Sequence, residues 1–313
     1  MTKKILVLFE LPDEQKTELK ELTPDYELTY SVDAQDDDVE IVYGYDKTFE
    51  QALQSGYKNV RWVQYPYAGV NKLPLGLMAS RNILLTNGSG IHAHSMTEVL
   101  FGHLLSYTRQ FKYYEAAQQH KHWGNRDWAF DLLGRTMLII GTGNVGQQVA
   151  KVAQAFGMHT VGINRSGHEV RYFEKTFAMD DLKHALSLAE VIVNLLPLTP
   201  ATKHLFDAEV FDLMQSGVIF INMGRGQSVV TADLVTVLKS GQVAFAGLDV
   251  FEEEPLSTDH ELWSLDNVSI TPHVGGNVEN YPRYLFPIFI ENLKAYQQNK
   301  KLPRNLVDLK AGY

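Results

Sequence analysis

Thr136-Met137-Leu138-Ile139-Ile140-Gly141-Thr142-Gly143-Asn144-Val145-Gly146 decides the fold of this chain. The first five residues read as a buried strand. Three glycines follow at G-x-G-x-x-G spacing, and apolar residues then recur at Val145, Val149, Val152, Ala153 and Phe156, the period of a helix packed on a sheet. Glycines mark turns of every kind, so the match gains its weight from the strand before it and the helix after it. Gly141 permits the tight turn, Gly143 lets a pyrophosphate approach the backbone, and Gly146 lets the helix lie close to the strand. The amides of Asn144 and Val145, at the positive end of that helix, are placed to hold phosphates. A dinucleotide site is predicted here.

The same alternation extends in both directions. Downstream, apolar runs at His159–Ile163, Val191–Leu195, Val218–Asn222, Ala244–Leu248 and Val268–Thr271 are separated by helix-period segments. Upstream, the runs are Ile5–Phe9, Glu27–Tyr30, Glu40–Tyr43, Val60–Gln64 and Ile83–Thr86, with a helical stretch from Asp13 to Leu22. Buried strands alternating with helices predict parallel, doubly wound sheets. Between the two series, Ser95-Met96-Thr97-Glu98 reads as a capping box opening an amphipathic helix through Val99, Leu100, His103, Leu104 and Tyr107, which makes Glu98 a cap rather than a catalytic acid. The segment Phe111 to Phe130 carries Tyr113, Tyr114, His120, His122, Trp123 and Trp128 without a clear period. Large amphipathic aromatics are enriched at interfaces, and a homodimer is expected.

Composition bounds the partners. At 313 residues and 45% apolar content the chain fits two domains with well-filled cores. A formal charge of -9 argues against nucleic acid or an anionic membrane surface, both of which need a concentrated positive face. No cysteine is present, which excludes disulfides, thiolate metal sites and a cysteine nucleophile. The first apolar run ends at Glu10 without a small-residue cleavage site and reads as a strand, and no run has the length of a membrane span. A cytoplasmic protein is expected, with no metal.

Three polar residues then stand at the ends of apolar runs: Arg225 in Asn222-Met223-Gly224-Arg225-Gly226, Glu254 in Glu252-Glu253-Glu254-Pro255, and His273 in Thr271-Pro272-His273. Open α/β sheets bind ligands at the carboxyl ends of their strands. A forked guanidinium reaches both the carboxylate and the carbonyl oxygen of a 2-keto acid. Reduction of the ketone needs a proton at that oxygen, and histidine exchanges one near neutral pH. A carboxylate beside the imidazole favours the protonated ring and fixes its orientation. Each residue alone has a bland reading, as a solvated loop arginine, a structural histidine or part of an acidic face.

After the second strand of this series comes Asn164-Arg165-Ser166, where an NAD-specific site places an acid for the ribose hydroxyls. A carboxylate about 4 Å from a 2′-phosphate costs about 4 kcal/mol at an effective dielectric of 20. Asn164 removes that penalty, and Arg165 and Ser166 offer a guanidinium and a hydroxyl to the phosphate. NADPH is expected in preference to NADH.

The whole arrangement resembles the D-isomer-specific 2-hydroxyacid dehydrogenase family over most of the chain, through Gly134–Gly146, Leu196-Pro197-Leu198-Thr199-Pro200-Ala201-Thr202, Asn222–Gly226, Gly247-Leu248-Asp249-Val250-Phe251 and Thr271–Gly276. The resemblance implies an α/β fold of two doubly wound parallel-sheet domains. A Rossmann cofactor domain, residues 95–283, is inserted into a flavodoxin-like substrate domain, residues 1–94 plus 284–313. It also implies roles: Arg225 binds carboxylate and carbonyl, His273 is the acid/base, and Glu254 is its partner. Leu196 and Asp249 contact the nicotinamide ribose and carboxamide, and Pro197, Thr202, Met223, Gly224 and Gly275 join the cofactor site. Tyr67, Ala68 and Gly69, in the loop Tyr65-Pro66-Tyr67-Ala68-Gly69-Val70, bind the substrate carboxylate. This loop carries two tyrosines and a proline where small residues are common in the family.

The expected activity is reduction of a small 2-keto acid such as glyoxylate or hydroxypyruvate to the D-2-hydroxy acid. Phosphoglycerate dehydrogenase is the alternative, for which only Arg61, Lys72 and Lys47 offer nearby cations. The resemblance also extends to dinucleotide-sensing corepressors, against which the acidic composition argues. A metal hydrolase built on Asp249, Glu252, Glu253, Glu254 and His273 would leave the glycine loop unexplained.

Overall fold

The computed structural model describes residues 3–33, 35–125 and 128–310. Two compact units divide the chain, Met1–Ile91 with Val278–Tyr313, and His92–Asn277. The division falls at 91/92 and 277/278 rather than at the expected 94/95 and 283/284.

In the first unit, strands β1 (Lys3–Val7), β2 (Tyr26–Thr29), β3 (Val39–Tyr43), β4 (Trp62–Gln64) and β5 (Leu84–Thr86) form an all-parallel sheet in the order β2-β1-β3-β4-β5. That is the flavodoxin-like order. Alternate residues of β1 face opposite cores. Ile5 and Val7 pack with Tyr43, Trp62, Leu285, Phe289 and Leu293, while Leu6 packs with Phe49, Leu53, Val63 and Leu85. A strand covered on both faces therefore reads as a continuous apolar run. The run Ile5–Phe9 overshoots β1, which ends at Val7, because Phe9 leaves the sheet yet still packs its ring edge-on against Tyr43 at 5.1 Å. Periodicity cannot separate the last strand residue from a loop residue that shares the core.

The second unit carries β6 (Thr136–Ile140), β7 (His159–Asn164), β8 (Lys175–Ala178), β9 (Val191–Asn194), β10 (Val218–Asn222), β11 (Val243–Leu248) and β12 (Val268–Ile270). All pair in parallel, in the order β12-β11-β10-β9-β6-β7-β8. The order reverses between β6 and β9, and the glycine loop follows β6, so it lies at the switch point where such sheets bind ligands. β8 was not among the expected strands. As an edge strand it exposes Lys175 and only half-buries Thr176, Phe177 and Ala178, so it lacks the apolar run that marked its neighbours. The expected capping box is corrected as well: the helix runs Ala93–Thr108 from His92, no side chain caps it, and the Ser95 hydroxyl bonds the His92 carbonyl from inside the first turn at 3.2 Å. No helix among the described residues is long and apolar enough to cross a membrane.

Candidate active site

The glycine loop has the shape its sequence predicts. Gly141 takes φ +111°, a conformation L side chains rarely adopt, and its amide bonds the Ile163 carbonyl at 2.9 Å. A Cβ at Gly146 would collide with the Gly141 carbonyl oxygen, so only glycine lets the helix Asn144–Ala155 start this close to the turn. A Cβ at Gly143 would meet nothing within 4 Å, which leaves that side of the loop open. No side chain caps this helix at Gly143. An open glycine face beside an uncapped helix start fits a pyrophosphate.

At the end of β7, Asn164 shapes its own loop. Its Oδ1 accepts from the Ser166 and Gly167 amides at 3.2 and 2.8 Å, and its Nδ2 donates to the His168 carbonyl at 2.9 Å. Both ends of the amide are thus engaged locally, and Asn164 affects a bound nucleotide mainly by not being an acid. Arg165 and Ser166 are exposed, and the Ser166 hydroxyl lies 3.1 Å from His168 Nδ1.

The ends of β9 and β10 are joined by a buried polar network that sequence reading missed. Asn194 Nδ2 donates to Asn222 Oδ1 at 2.9 Å and to Ser228 Oγ at 2.7 Å, while Asn194 Oδ1 accepts the Leu196 amide at 3.1 Å. Thr202 holds the following loop, its hydroxyl donating to the Pro197 carbonyl at 2.7 Å and accepting the Thr199 amide at 2.8 Å. Met223 is buried beside this network.

Arg225 is held between two glycines in close backbone contact. A Cβ at Gly224 would stand 2.7 Å from the Leu196 carbonyl oxygen, and one at Gly226 would collide with the Phe251 backbone. The Ser228 hydroxyl donates to the Arg225 carbonyl at 2.6 Å, and Arg225 Nη1 reaches the Gly224 carbonyl at 2.7 Å. Burial lowers the pKa of the guanidinium, opposed by the charge of Glu254, and an arginine keeps its proton regardless.

Of the acidic run, Glu254 alone meets His273. Its Oε2 lies 2.8 Å from His273 Nδ1, and its Oε1 accepts the Phe251 amide at 3.1 Å. Glu252 turns to the Thr231 amide at 2.6 Å and His204 Nε2 at 3.0 Å, and Glu253 is exposed. His273 has φ +55° and a half-exposed ring. With Nδ1 against the carboxylate, Nε2 faces away from Glu254 and is the nitrogen left for a reactant. Asp249, at 2% exposure, accepts the Thr271 hydroxyl at 2.6 Å and the Val274 and Gly275 amides at 3.0 Å each. Gly275 leaves room there, since a Cβ would collide with Met223 Cε and stand 2.8 Å from Asp249 Oδ2. Among the described residues no group of three or more His, Asp or Glu side chains is placed to hold a metal ion.

Two buried histidines were not anticipated as part of this region. His92 Nδ1 lies 2.7 Å from the Gly276 carbonyl oxygen, and His103 lies against Ser269 and Thr271. Burial lowers the pKa of both rings.

In the other unit, the loop 65–70 is fixed by the Tyr65 amide on the Thr86 carbonyl at 2.7 Å and by Asn87 Nδ2 on the Ala68 carbonyl at 2.8 Å. Among the described residues the amides of Ala68, Gly69 and Val70 make no backbone hydrogen bond. The half-exposed Tyr67 packs edge-on against Tyr65 at 5.6 Å and Tyr281 at 5.7 Å.

Residues 101–275 match the family model described as D-isomer specific 2-hydroxyacid dehydrogenase, NAD binding domain. The chain belongs to the D-isomer specific 2-hydroxyacid dehydrogenase family. It is therefore an oxidoreductase that works with a nicotinamide dinucleotide. Among curated relatives, a glyoxylate reductase of Pyrococcus horikoshii is 32% identical over 248 residues, 77% of this chain and 74% of the relative. A phosphoglycerate dehydrogenase structure from Lactobacillus plantarum is 37% identical, covering 98% of this chain and 100% of its own, with a TM-score of 0.60. The NADPH-dependent glyoxylate/hydroxypyruvate reductase of Sinorhizobium meliloti, solved with NADP and sulfate, is 27% identical over 99% of this chain and 100% of its own, with a TM-score of 0.81. This member of the 2-hydroxyacid dehydrogenases thus shares its architecture with enzymes of more than one substrate.

Proposed function

We propose that the protein reduces a small 2-keto acid of the glyoxylate or hydroxypyruvate type to the D-2-hydroxy acid, with NADPH preferred to NADH. The observation that carries the reading is the His273–Glu254 pair at 2.8 Å, with Arg225 near enough to feel the charge of Glu254. The unit His92–Asn277 takes the dinucleotide on Gly141, Gly143, Asn144, Val145 and Gly146, with Leu196, Pro197, Thr202, Met223, Gly224, Asp249 and Gly275 around its nicotinamide half. When bound, the cofactor supplies the hydride. Arg225 orients the carboxylate and polarises the carbonyl, and His273 gives the carbonyl oxygen a proton from Nε2 while Glu254 holds Nδ1. The family resemblance makes Tyr67, Ala68 and Gly69 the substrate-binding candidates of the first unit.

The cofactor preference rests on the missing acid at Asn164 and on the exposed Arg165 and Ser166. The relative from Sinorhizobium meliloti bound to NADP supports it. Phosphohydroxypyruvate is the second reading, favoured by the 37% identity to the Lactobacillus plantarum enzyme. Arg61, Lys47 and Lys72 are exposed and available to a phosphate. One experiment separates these readings: absorbance at the reduced-nicotinamide band, with NADPH and NADH, across glyoxylate, hydroxypyruvate and phosphohydroxypyruvate. Turnover with none of them would overturn the reading, and a higher kcat/KM with NADH would overturn the cofactor preference. A homodimer belongs to the same proposal, supported by the exposed Phe111, Trp123 and Trp128. Light scattering showing a monomer at micromolar concentration removes it.

A further inference from the structure

His103 lies in the helix Ala93–Thr108 and is 4% exposed. Its ring rests on β11 at Gly247, where a Cβ would come within 2.8 Å of His103 Cβ, so the strand carries no side chain where the histidine needs room. Nδ1 is 2.8 Å from Ser269 Oγ, and Nε2 is 3.2 Å from Thr271 Oγ1. Thr271 Oγ1 lies 2.6 Å from Asp249 Oδ1.

The direction of each proton follows from counting donors. A hydroxyl has one proton, and Thr271 gives it to a carboxylate that only accepts. Thr271 must therefore accept from Nε2–H. A neutral ring protonated at Nε2 has its lone pair at Nδ1, and Ser269 donates there. Burial, which lowers the pKa of this imidazole against the opposing charge of Asp249, keeps the ring neutral. The chain Ser269 to His103 to Thr271 to Asp249 then runs one way. It ends on the carboxylate that also takes the Val274 and Gly275 amides, and His273 lies between those amides and Thr271.

We propose that His103 is a positioning residue for the reaction: through Thr271 it fixes the Asp249 carboxylate and the turn 271–275 that presents His273. The proposal rests on the functional reading above for what Asp249 and His273 do.

The test is a double-mutant cycle. His103→Leu is combined with Ser269→Val, so that no buried hydroxyl is orphaned, and the pair is compared in the parent and in a Thr271→Val background. In the parent, kcat/KM with NADPH and the keto acid falls about fivefold, the scale of one buried hydrogen bond. In the Thr271→Val background it falls less than twofold. Equal falls in both backgrounds, or none in the parent, would show that the ring acts by packing alone and overturn the proposal. The NADPH dissociation constant, read by tryptophan fluorescence, gives the same cycle without turnover, so a protein that binds cofactor but does not reduce these acids still tests His103. Nitrogen-15 NMR of the whole protein at pH 7.5, with His103 assigned from the Leu variant, should show hydrogen on Nε2 and a bare Nδ1. The opposite tautomer, or a charged ring, would break the proton chain and the proposal with it.

Discussion

All 11 histidines lie between residues 92 and 277, in the unit that holds the glycine loop, while 11 of the 15 tyrosines lie in the other unit. The two units are held by different kinds of contact. Around β9 to β12 the side chains are Asn194, Asn222, Ser228, Asp249, Thr271 and His273, locked by hydrogen bonds mostly between 2.6 and 3.1 Å. Around the loop 65–70 they are phenol rings in edge contact, with Tyr281 pushed up to about 12 largely by burial. Directional polar locks hold a proton donor to its geometry, whereas rings in van der Waals contact can repack around a different substrate. On the proposed function, the polar locks answer for the proton transfer and the tyrosine rings for discrimination among substrates, and the two respond to different substitutions.

The strongest way to break it is His273→Ala. If the polar unit supplies the proton, the turnover number falls at least about a hundredfold, the usual scale for general acid catalysis. Near-normal turnover would move the proton donor elsewhere, and rapid-mixing kinetics with NADPH would show it. Arg225→Ala comes next: kcat/KM for the keto acid is expected to drop by at least about tenfold while the NADPH dissociation constant stays within twofold. An unchanged kcat/KM takes Arg225 out of the site. On the tyrosine side, Tyr67→Ala should shift KM ratios among keto acids of different size by about threefold and leave kcat nearly intact, as expected for an interaction shared by bound and reacting substrate. A loss confined to kcat would mean that the loop takes part in the chemistry.

Stability sharpens the same contrast. His92 and His103 have lowered pKa values, so below the ordinary imidazole value of about 6.5 the unfolded chain binds protons that the folded unit does not. Their contribution to stability is complete above that value and is lost as pH falls toward the lowered folded values. Hydrogen exchange, corrected for intrinsic rates, should show weaker protection of the helix Ala93–Thr108 at pH 5.5 than at 7.5. The Trp62–Phe289 core, in a unit without histidine, should be unaffected. Equal loss in both units would contradict the assignment. The smallest effect belongs to Tyr43, which stacks on Phe289 at 4.1 Å and whose buried hydroxyl has no hydrogen-bond partner among the described residues. Tyr43→Phe removes that orphan and should raise stability in urea unfolding by about 1 kcal/mol; a destabilised variant would reveal a partner for the hydroxyl.

Strands such as β6, β9 and β10 were legible because each is an apolar run covered on both faces, and β8 was not because it exposes Lys175 and only half-buries the residues after it. The helix start at Ala93 was misplaced because a local serine and glutamate pattern outweighed a start that has no side-chain cap. Within the site, glycine positions were legible from spacing alone, since a turn or a close approach demands glycine whatever surrounds it. Buried polar links were not. His103 and Thr271 are 168 residues apart, and a histidine on an apolar helix face carries no local mark of its partner.

By itself the sequence determined the alternation of strands and helices, the glycine loop between strand and helix, and the order of arginine, glutamate and histidine after it, because each is a local pattern of side-chain size, period or charge. Only the tertiary structure decided that Glu252 turns to Thr231 and His204, that the Asn164 amide is engaged within its own loop, and that Asp249 is held by Thr271 beneath His103. Those outcomes depend on where distant strand ends meet and which way each side chain points, and neither is written into a neighbouring residue.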